Sequence, residues 1–561
     1  MTQRKTWEDV AAAKQAARAA AIPAEWTIEV SATANVMSVP ATCGVLTPAE
    51  VKITETTAGP LVKKLLAREL TSEAVVTAFC KRAAIAQQLT NCLTEVWFDS
   101  AIAEAREIDA EYARTGTPRG PLHGLPMSLK DNVNVKGFDT TIGYIAHCGQ
   151  PASDDAVIAK ALRAAGAVLF CKTNVPTAML MAETYNNVWG YTPNPHNAAY
   201  GAGGSSGGEG ALVALRGSPL GTGTDIGGSI RIPCAVNGLF GIKPAAGRFP
   251  LMGGRPGLAG QEAIKSVIGP MSPDLEGLEL WSKAILAAKP WETDPAVYKL
   301  PWREVDVPEK LCFGMVMDDG VIAPTPAITR VLKETRAALE AAGHTVVEWQ
   351  PYQINRALDL FFALIKGDGG VTISDTIKGE IPEPFPVGLA QFEAAAEAAR
   401  ANPPTVNELW KTQAARQAYL AESLAHWQAT RTLSPTGRPF DGVIAPIAPY
   451  PAAKRYKFPI REGTYTFVWN LADQTSLAFP AGSVRSSDVG EIGRAYRSQD
   501  EKNAWDNYDV LGLEGMPVGL QLVVPRHEEE LAIRLGGVVM DAIGSHELVD
   551  KLGGVAVGDK Q

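Results

Sequence analysis

Twice along this chain a helical run stops at a glycine and a short apolar strand begins at once. Residues 155–165 carry helical periodicity, Gly166 ends it, and Ala167-Val168-Leu169-Phe170-Cys171 follows as a buried strand. Residues 324–342 repeat the pattern, with Gly343 as the stop and Thr345-Val346-Val347-Glu348 extended. Val443-Ile444-Ala445 and residues 518–524 read as further strands. Such strands, each close to a helix, predict an α/β fold. Its core is a twisted, mostly parallel or mixed central β-sheet covered by α-helices on both faces.

The 561 residues exceed the roughly 250–300 at which single cores usually stop growing. No linker divides them, because the 53 glycines and 39 prolines are scattered among periodic segments. We therefore expect a helical arm over 1–60, one large domain over 61–545 and a short tail over 546–561. Within the arm, residues 6–20 read as an amphipathic helix. A helix follows Gly59-Pro60, and another, capped by Thr71 or Ser72, runs to about Gln88 with Val75, Val76, Phe79 and Ala83 on its core face. Residues 355–435, rich in Ala, Glu and Gln, form a helical excursion suited to wall a substrate pocket.

A net charge of −9 without a Lys/Arg run argues against nucleic-acid binding. The seven cysteines form no C-x-x-C pair and the seven histidines no H-x-x-x-H pair, so reduced buried thiols and no metal site are expected. The N-terminus lacks the apolar core of a secretory signal, and no run approaches the ~18 apolar residues of a membrane span. These features predict a soluble cytoplasmic protein.

Chemistry concentrates between Gly201 and Lys243, where G-A-G-G-S-S-G-G-E-G (201–210) and G-T-G-T-D-I-G-G-S-I-R-I-P (221–233) each place serine among glycines. Glycine at this density suggests exposed backbone amides that grip an anionic group. A phosphate-binding loop is ruled out because no Lys follows the glycines. A dinucleotide fingerprint fails because its last glycine is replaced by Ser206 or Ile226. The nucleophile elbow G-x-S-x-G fits 203–207 and 204–208, but its histidine would have to be His344, His426, His527 or His546, none in a distinguishing context. In a third reading Ser229 is the nucleophile, at a helix start, with the preceding amides converging as an oxyanion hole. Ser229 then needs a base.

Three stretches decide among these readings: Gly203-Gly204-Ser205-Ser206-Gly207-Gly208, residues 223–231, and Leu125-Pro126-Met127-Ser128-Leu129-Lys130-Asp131. With residues 81–92, 120–125, 269–271 and 515–522 they resemble the amidase signature family over nearly the whole chain. Within that family the chain looks closest to fungal acetamidases and general amidases, with fatty-acid amide hydrolase more distant. The resemblance implies the amidase signature fold, Ser229 as acyl-forming nucleophile, Ser205 as the bridging residue after a cis peptide, and Lys130 as terminal base. It also implies an oxyanion hole from the amides of Ile226, Gly227, Gly228 and Ser229, and a carbonyl presented to substrate by Met179. It further implies no cofactor, a small-molecule amide as substrate and a homodimer.

An exposed lysine near pKa 10.4 cannot accept a proton at pH 7, but a buried one loses its charge more readily. Lys130 closes an apolar segment, which carries it inward. Lys172 is the alternative base; Asp225 and Arg231 read as a structural ion pair, Ser206 as a brace and Cys234 as a packed thiol. The expected reaction is hydrolysis of a small carboxylic amide, acetamide-like, to acid and ammonia or amine. Carbamates, aryl or longer-chain amides, and an ammonia-passing amidotransferase subunit are the alternatives.

Overall fold

A computed structural model of the chain describes residues 5–30, 34–457 and 463–544. The expected tail at 546–561, with His546, lies outside the described residues. Thirteen strands are described. They are β1 (Leu93–Val96), β2 (Pro126–Lys130), β3 (Val168–Thr173), β4 (Tyr185–Asn186), β5 (Gly190–Tyr191), β6 (Gly221–Asp225), β7 (Phe240–Lys243), β8 (Val267–Ser272), β9 (Cys312–Met315), β10 (Thr345–Glu348), β11 (Gly442–Pro446), β12 (Thr475–Ser483) and β13 (Pro517–Val524). Apart from the β4–β5 hairpin they form an 11-stranded sheet ordered β1-β3-β2-β6-β8-β7-β12-β13-β11-β9-β10.

The sheet is mixed in a regular way. β3, β2 and β6 run parallel on one side and β11, β9 and β10 on the other, while β6 through β13 to β11 pair antiparallel across the middle. Helices cover both faces, so nearly every residue of the large sheet's strands is buried.

Local chemistry sets the helix ends. The Thr71 hydroxyl accepts from the Ala74 N–H to start the helix Ser72–Thr90, and Asn91 ends it at φ +48°. A reciprocal Thr6–Asp9 cap starts the helix Trp7–Ala20. That helix is fastened to the body: Lys14 pairs with Glu95 and, at 2.9 Å, with Asp139, and Gln15 donates to the Val188 carbonyl at 2.7 Å. The 355–435 segment contains the helices Ile354–Ile365, Val371–Ile377, Ala390–Ala401 and Val406–Ala429.

The site is positioned by three neighbouring strands and one helix. β2 ends at Lys130, β3 and β6 flank it, and β6 runs directly into the loop carrying Ser229. The helix Gly207–Ala214 begins right after Ser205-Ser206 and packs against β2, β3, β6 and β8. Its glycines serve close packing rather than the anion grip expected from the sequence. A Cβ at Gly208 would stand 2.3 Å from the Asn174 backbone nitrogen, and one at Gly207 2.3 Å from Thr184 Oγ1.

Candidate active site

Lys130 is 0% exposed, and its Nζ donates to Ser205 Oγ at 2.7 Å and to the Thr224 carbonyl at 3.2 Å. Burial lowers its pKa to about 7, although the negative charges of Asp225 and Glu209 pull the other way. A large share of its amine is therefore uncharged at neutral pH. Ser205 follows a cis peptide from Gly204 and is almost fully buried.

Ser206 joins the two glycine-rich loops. Its N–H donates to the Ser229 carbonyl at 3.1 Å, and its hydroxyl donates to the Thr224 carbonyl at 3.3 Å. This is the bracing expected of it. Ser229 keeps 8% of its surface and lines a cavity of about 770 Å³ together with Ser205, Met179, Ile226 and Thr224. No hydrogen bond joins the Ser205 and Ser229 hydroxyls in this structure, so the contact between Lys130 and Ser205 is made and the next one is open. Ser229 also stands two residues before the helix Arg231–Asn237 rather than at its start.

The loop amides divide. Gly228, at φ +124°, donates its N–H to Asp225 Oδ1 at 2.8 Å, and Ile230 donates to Asp225 Oδ2 at 3.2 Å. The expected use of Gly228 as an oxyanion donor is thus corrected, because the carboxylate one turn upstream has taken that N–H. The N–H groups of Ile226, Gly227 and Ser229 have no acceptor among the described residues; Ile226 and Ser229 line the large cavity, and all three residues line a smaller pocket beside it.

Asp225 is held by more than the loop. Burial alone would raise its pKa, but Arg231, with Nε and Nη2 each 3.1 Å from the carboxylate, outweighs that and holds it well below the usual carboxylate range. Asn470 Nδ2 donates to Asp225 Oδ1 at 2.9 Å, and Arg231 reaches Gln521 Oε1 at 2.9 Å. The ion pair therefore fixes the Ser229 loop to the strand and helix behind it. Cys234 is a packed thiol, as expected, whose pKa burial raises. Lys172 donates to the Asp139 carbonyl at 2.7 Å and to Thr140 Oγ1 at 2.8 Å. It does not line the cavity. No histidine lines the cavity either, which leaves the nucleophile-elbow alternative without its base among the described residues.

Glu209, the penultimate residue of the first serine motif, is a site residue that the motifs do not single out. It is fully buried, and its Oε1 accepts from Ser128 Oγ at 2.9 Å and from the Thr222 N–H at 2.8 Å. Burial raises its pKa to about 7, against the pull of those donors and of Lys130. An acidic residue followed by the apolar run Ala211-Leu212-Val213-Ala214 was the available signal. Met179 sits at φ +58° next to Ala178 at φ +60° and lines both the large cavity and a smaller one.

The amidase family profile matches residues 74–533, most of the chain. The chain belongs to the amidase signature family. An acetamidase of Emericella nidulans is 39% identical to it over 552 residues, which cover 96% of this chain and 99% of that one. An acetamidase of Aspergillus oryzae is 38% identical over 96% of this chain and 99% of its own. Among solved structures, a fatty acid amide hydrolase superposes with a TM-score of 0.89 at 31% identity, covering 96% of this chain and 95% of that chain. A bacterial aryl acylamidase shares the fold at TM-score 0.71 and 20% identity, covering 90% of this chain and 99% of that one. The enzyme is a hydrolase of amide C–N bonds. No helix among its described residues is long and apolar enough to cross a membrane.

Proposed function

We propose that the enzyme hydrolyses small carboxylic amides through an acyl-Ser229 intermediate. Neutral Lys130 takes the Ser205 proton as Ser205 takes that of Ser229, and Ser229 Oγ attacks the carbonyl carbon. The amides of Ile226, Gly227 and Ser229 receive the negative charge that develops on the carbonyl oxygen. The proton returns through Ser205 to the amide nitrogen, the C–N bond breaks, and ammonia or an amine leaves. Water then attacks the acyl carbon by the same route and releases the acid. The observation that carries this reading is the buried 2.7 Å hydrogen bond from Lys130 to Ser205 beside a cavity shared with Ser229. The acetamidase relatives point to acetamide as the first substrate to try. Seven unpaired cysteines suit a reducing, cytoplasmic setting. Initial rates across acetamide, longer aliphatic amides, aryl amides and ethyl carbamate test the proposal, and no turnover of any of them would sink it.

Lys130 must be uncharged to act, so kcat/KM is expected to rise with pH through about 7 and then level off. Glu209 in its charged form makes Lys130 hold its proton more tightly, but Glu209 gains that charge only as pH rises through about 7, so Glu209→Gln moves this acid limb modestly to lower pH. Glutamine retains an oxygen for Ser128 and Thr222, so thermal unfolding serves as the control. An unmoved limb in a folded variant contradicts the role given to Glu209.

A further inference from the structure

Two spaces meet at Ser229, and they differ in size and chemistry. The larger, about 770 Å³, combines predominantly hydrocarbon walls with charged and amide side chains, among them Arg255, Arg416, Gln417, Asp473 and Arg526. The smaller, about 40 Å³, is lined mainly by hydrocarbon from Met179, Leu180, Ile226, Phe361, Ile365 and Phe467. Phe361 and Phe467 stack there with ring centres 4.4 Å apart and planes 8° apart, and Phe362 meets Phe467 edge-on at 5.4 Å. The rings press on the nucleophile loop, since a Cβ at Gly227 would stand 2.8 Å from Phe467 and 3.2 Å from Phe361.

The proton path decides which half of a substrate enters which space. The leaving nitrogen must receive its proton from Ser205, and Ser205 lines the large cavity but not the small one. The amine half therefore faces the large cavity, which leaves the small apolar pocket for the acyl half. One water-sized group needs about 10–15 Å³ of such space, so about 40 Å³ admits an acyl chain of about three carbon-sized groups.

We propose that the enzyme takes N-substituted amides that join a short apolar acyl group to a larger polar amine, with Phe361 and Phe467 as the residues that limit acyl length. The inference rests on the acyl-Ser229 reading and goes beyond it by assigning each half of the substrate to a side. In such a reaction R–CO–NH–R′ and water give R–COOH and H₂N–R′, with the amine protonated through Ser205 as its bond to carbon breaks.

Two substrate series at constant leaving group or constant acyl group test it on the wild-type enzyme. Along acetamide, propionamide, butyramide, hexanamide and octanamide, kcat/KM is expected to collapse once the pocket is full, by about tenfold or more per added methylene. Along N-methyl-, N-(2-hydroxyethyl)- and N-(carboxymethyl)-acetamide it is expected to stay within about tenfold of N-methylacetamide, since the large cavity can hold each amine half. Phe361→Leu, and separately Phe467→Leu, are expected to move the acyl cut-off towards longer chains; the second variant decides if the first does not fold. Octanamide hydrolysed as well as acetamide, or acetamides rejected as the amine half grows, would overturn the assignment while acyl-enzyme chemistry stood. A cut-off unchanged in a folded variant of either phenylalanine would overturn the role of the rings. No turnover anywhere in the panel, by contrast, would strike the acyl-Ser229 reading itself.

Discussion

Ser229→Ala is expected to lower kcat by about 10⁶-fold, the size of loss seen when a serine nucleophile is removed from a well-studied hydrolase. The substitution deletes one hydroxyl and leaves the main chain as it was. The Ser206 N–H still reaches the residue 229 carbonyl, and Lys130 still donates to Ser205 at 2.7 Å. A small side chain at this position should change stability by no more than about 1 kcal/mol. The loss therefore has to appear in steady-state rates with the thermal midpoint nearly unmoved. Substrate affinity should persist, because the uncommitted amides of Ile226 and Gly227 and both cavities remain. A variant that keeps more than a few per cent of wild-type turnover would show that another group forms the acyl bond.

Lys130→Met is expected to lower kcat by about 10⁴-fold, the upper end of what a positioned base contributes. Methionine approximates the length of the lysine stem in this fully buried site, so packing is largely kept. What is lost is the donor to Ser205 and to the Thr224 carbonyl, together with the amine proposed to hold and return the proton. The pH profile separates this from a structural defect. With lysine the acid limb should lie near pH 7, and with methionine the residual rate should lose it. A limb that survives unchanged in Lys130→Met would assign the titration to another residue.

Much of this site was legible from the sequence because its motifs are short and local. Lys130 closes the apolar segment that becomes β2, Ser205 and Ser229 sit in paired glycine loops, and a chain that buries β2 and β6 side by side brings these loops together. The stops at Gly166 and Gly343 likewise mark where helices yield to β3 and β10. The antiparallel middle of the sheet was harder to see. β8 carries Gly269-Pro270 and β12 carries Pro480, residues that read as turns until neighbouring strands are in place on each side.

What the sequence concealed was which groups turn toward one another in the folded chain. Nothing local says that Asp225 turns its carboxylate back onto the Gly228 N–H, removing one of the four expected oxyanion donors. Glu209 looks like a surface acid at the edge of a glycine run, and only the helix Gly207–Ala214 packing on β2 buries it behind Lys130. Phe361 and Phe467 come from separate helices and meet only when the Ile354–Ile365 and Thr464–Leu471 segments pack together. Local pattern and the family resemblance thus singled out Lys130, Ser205 and Ser229, whereas the small apolar pocket beside Ser229 exists only in the folded chain.

The mechanism stands or falls on a covalent acyl bond to Ser229 Oγ. Quenching the enzyme with acid during turnover of a slowly deacylating p-nitrophenyl ester, then sequencing its peptides by mass spectrometry, reads that bond out. One acyl mass per chain is expected on the peptide containing Ser229, and none in Ser229→Ala. An acyl group found instead on Ser205, or no adduct while product accumulates, would contradict it.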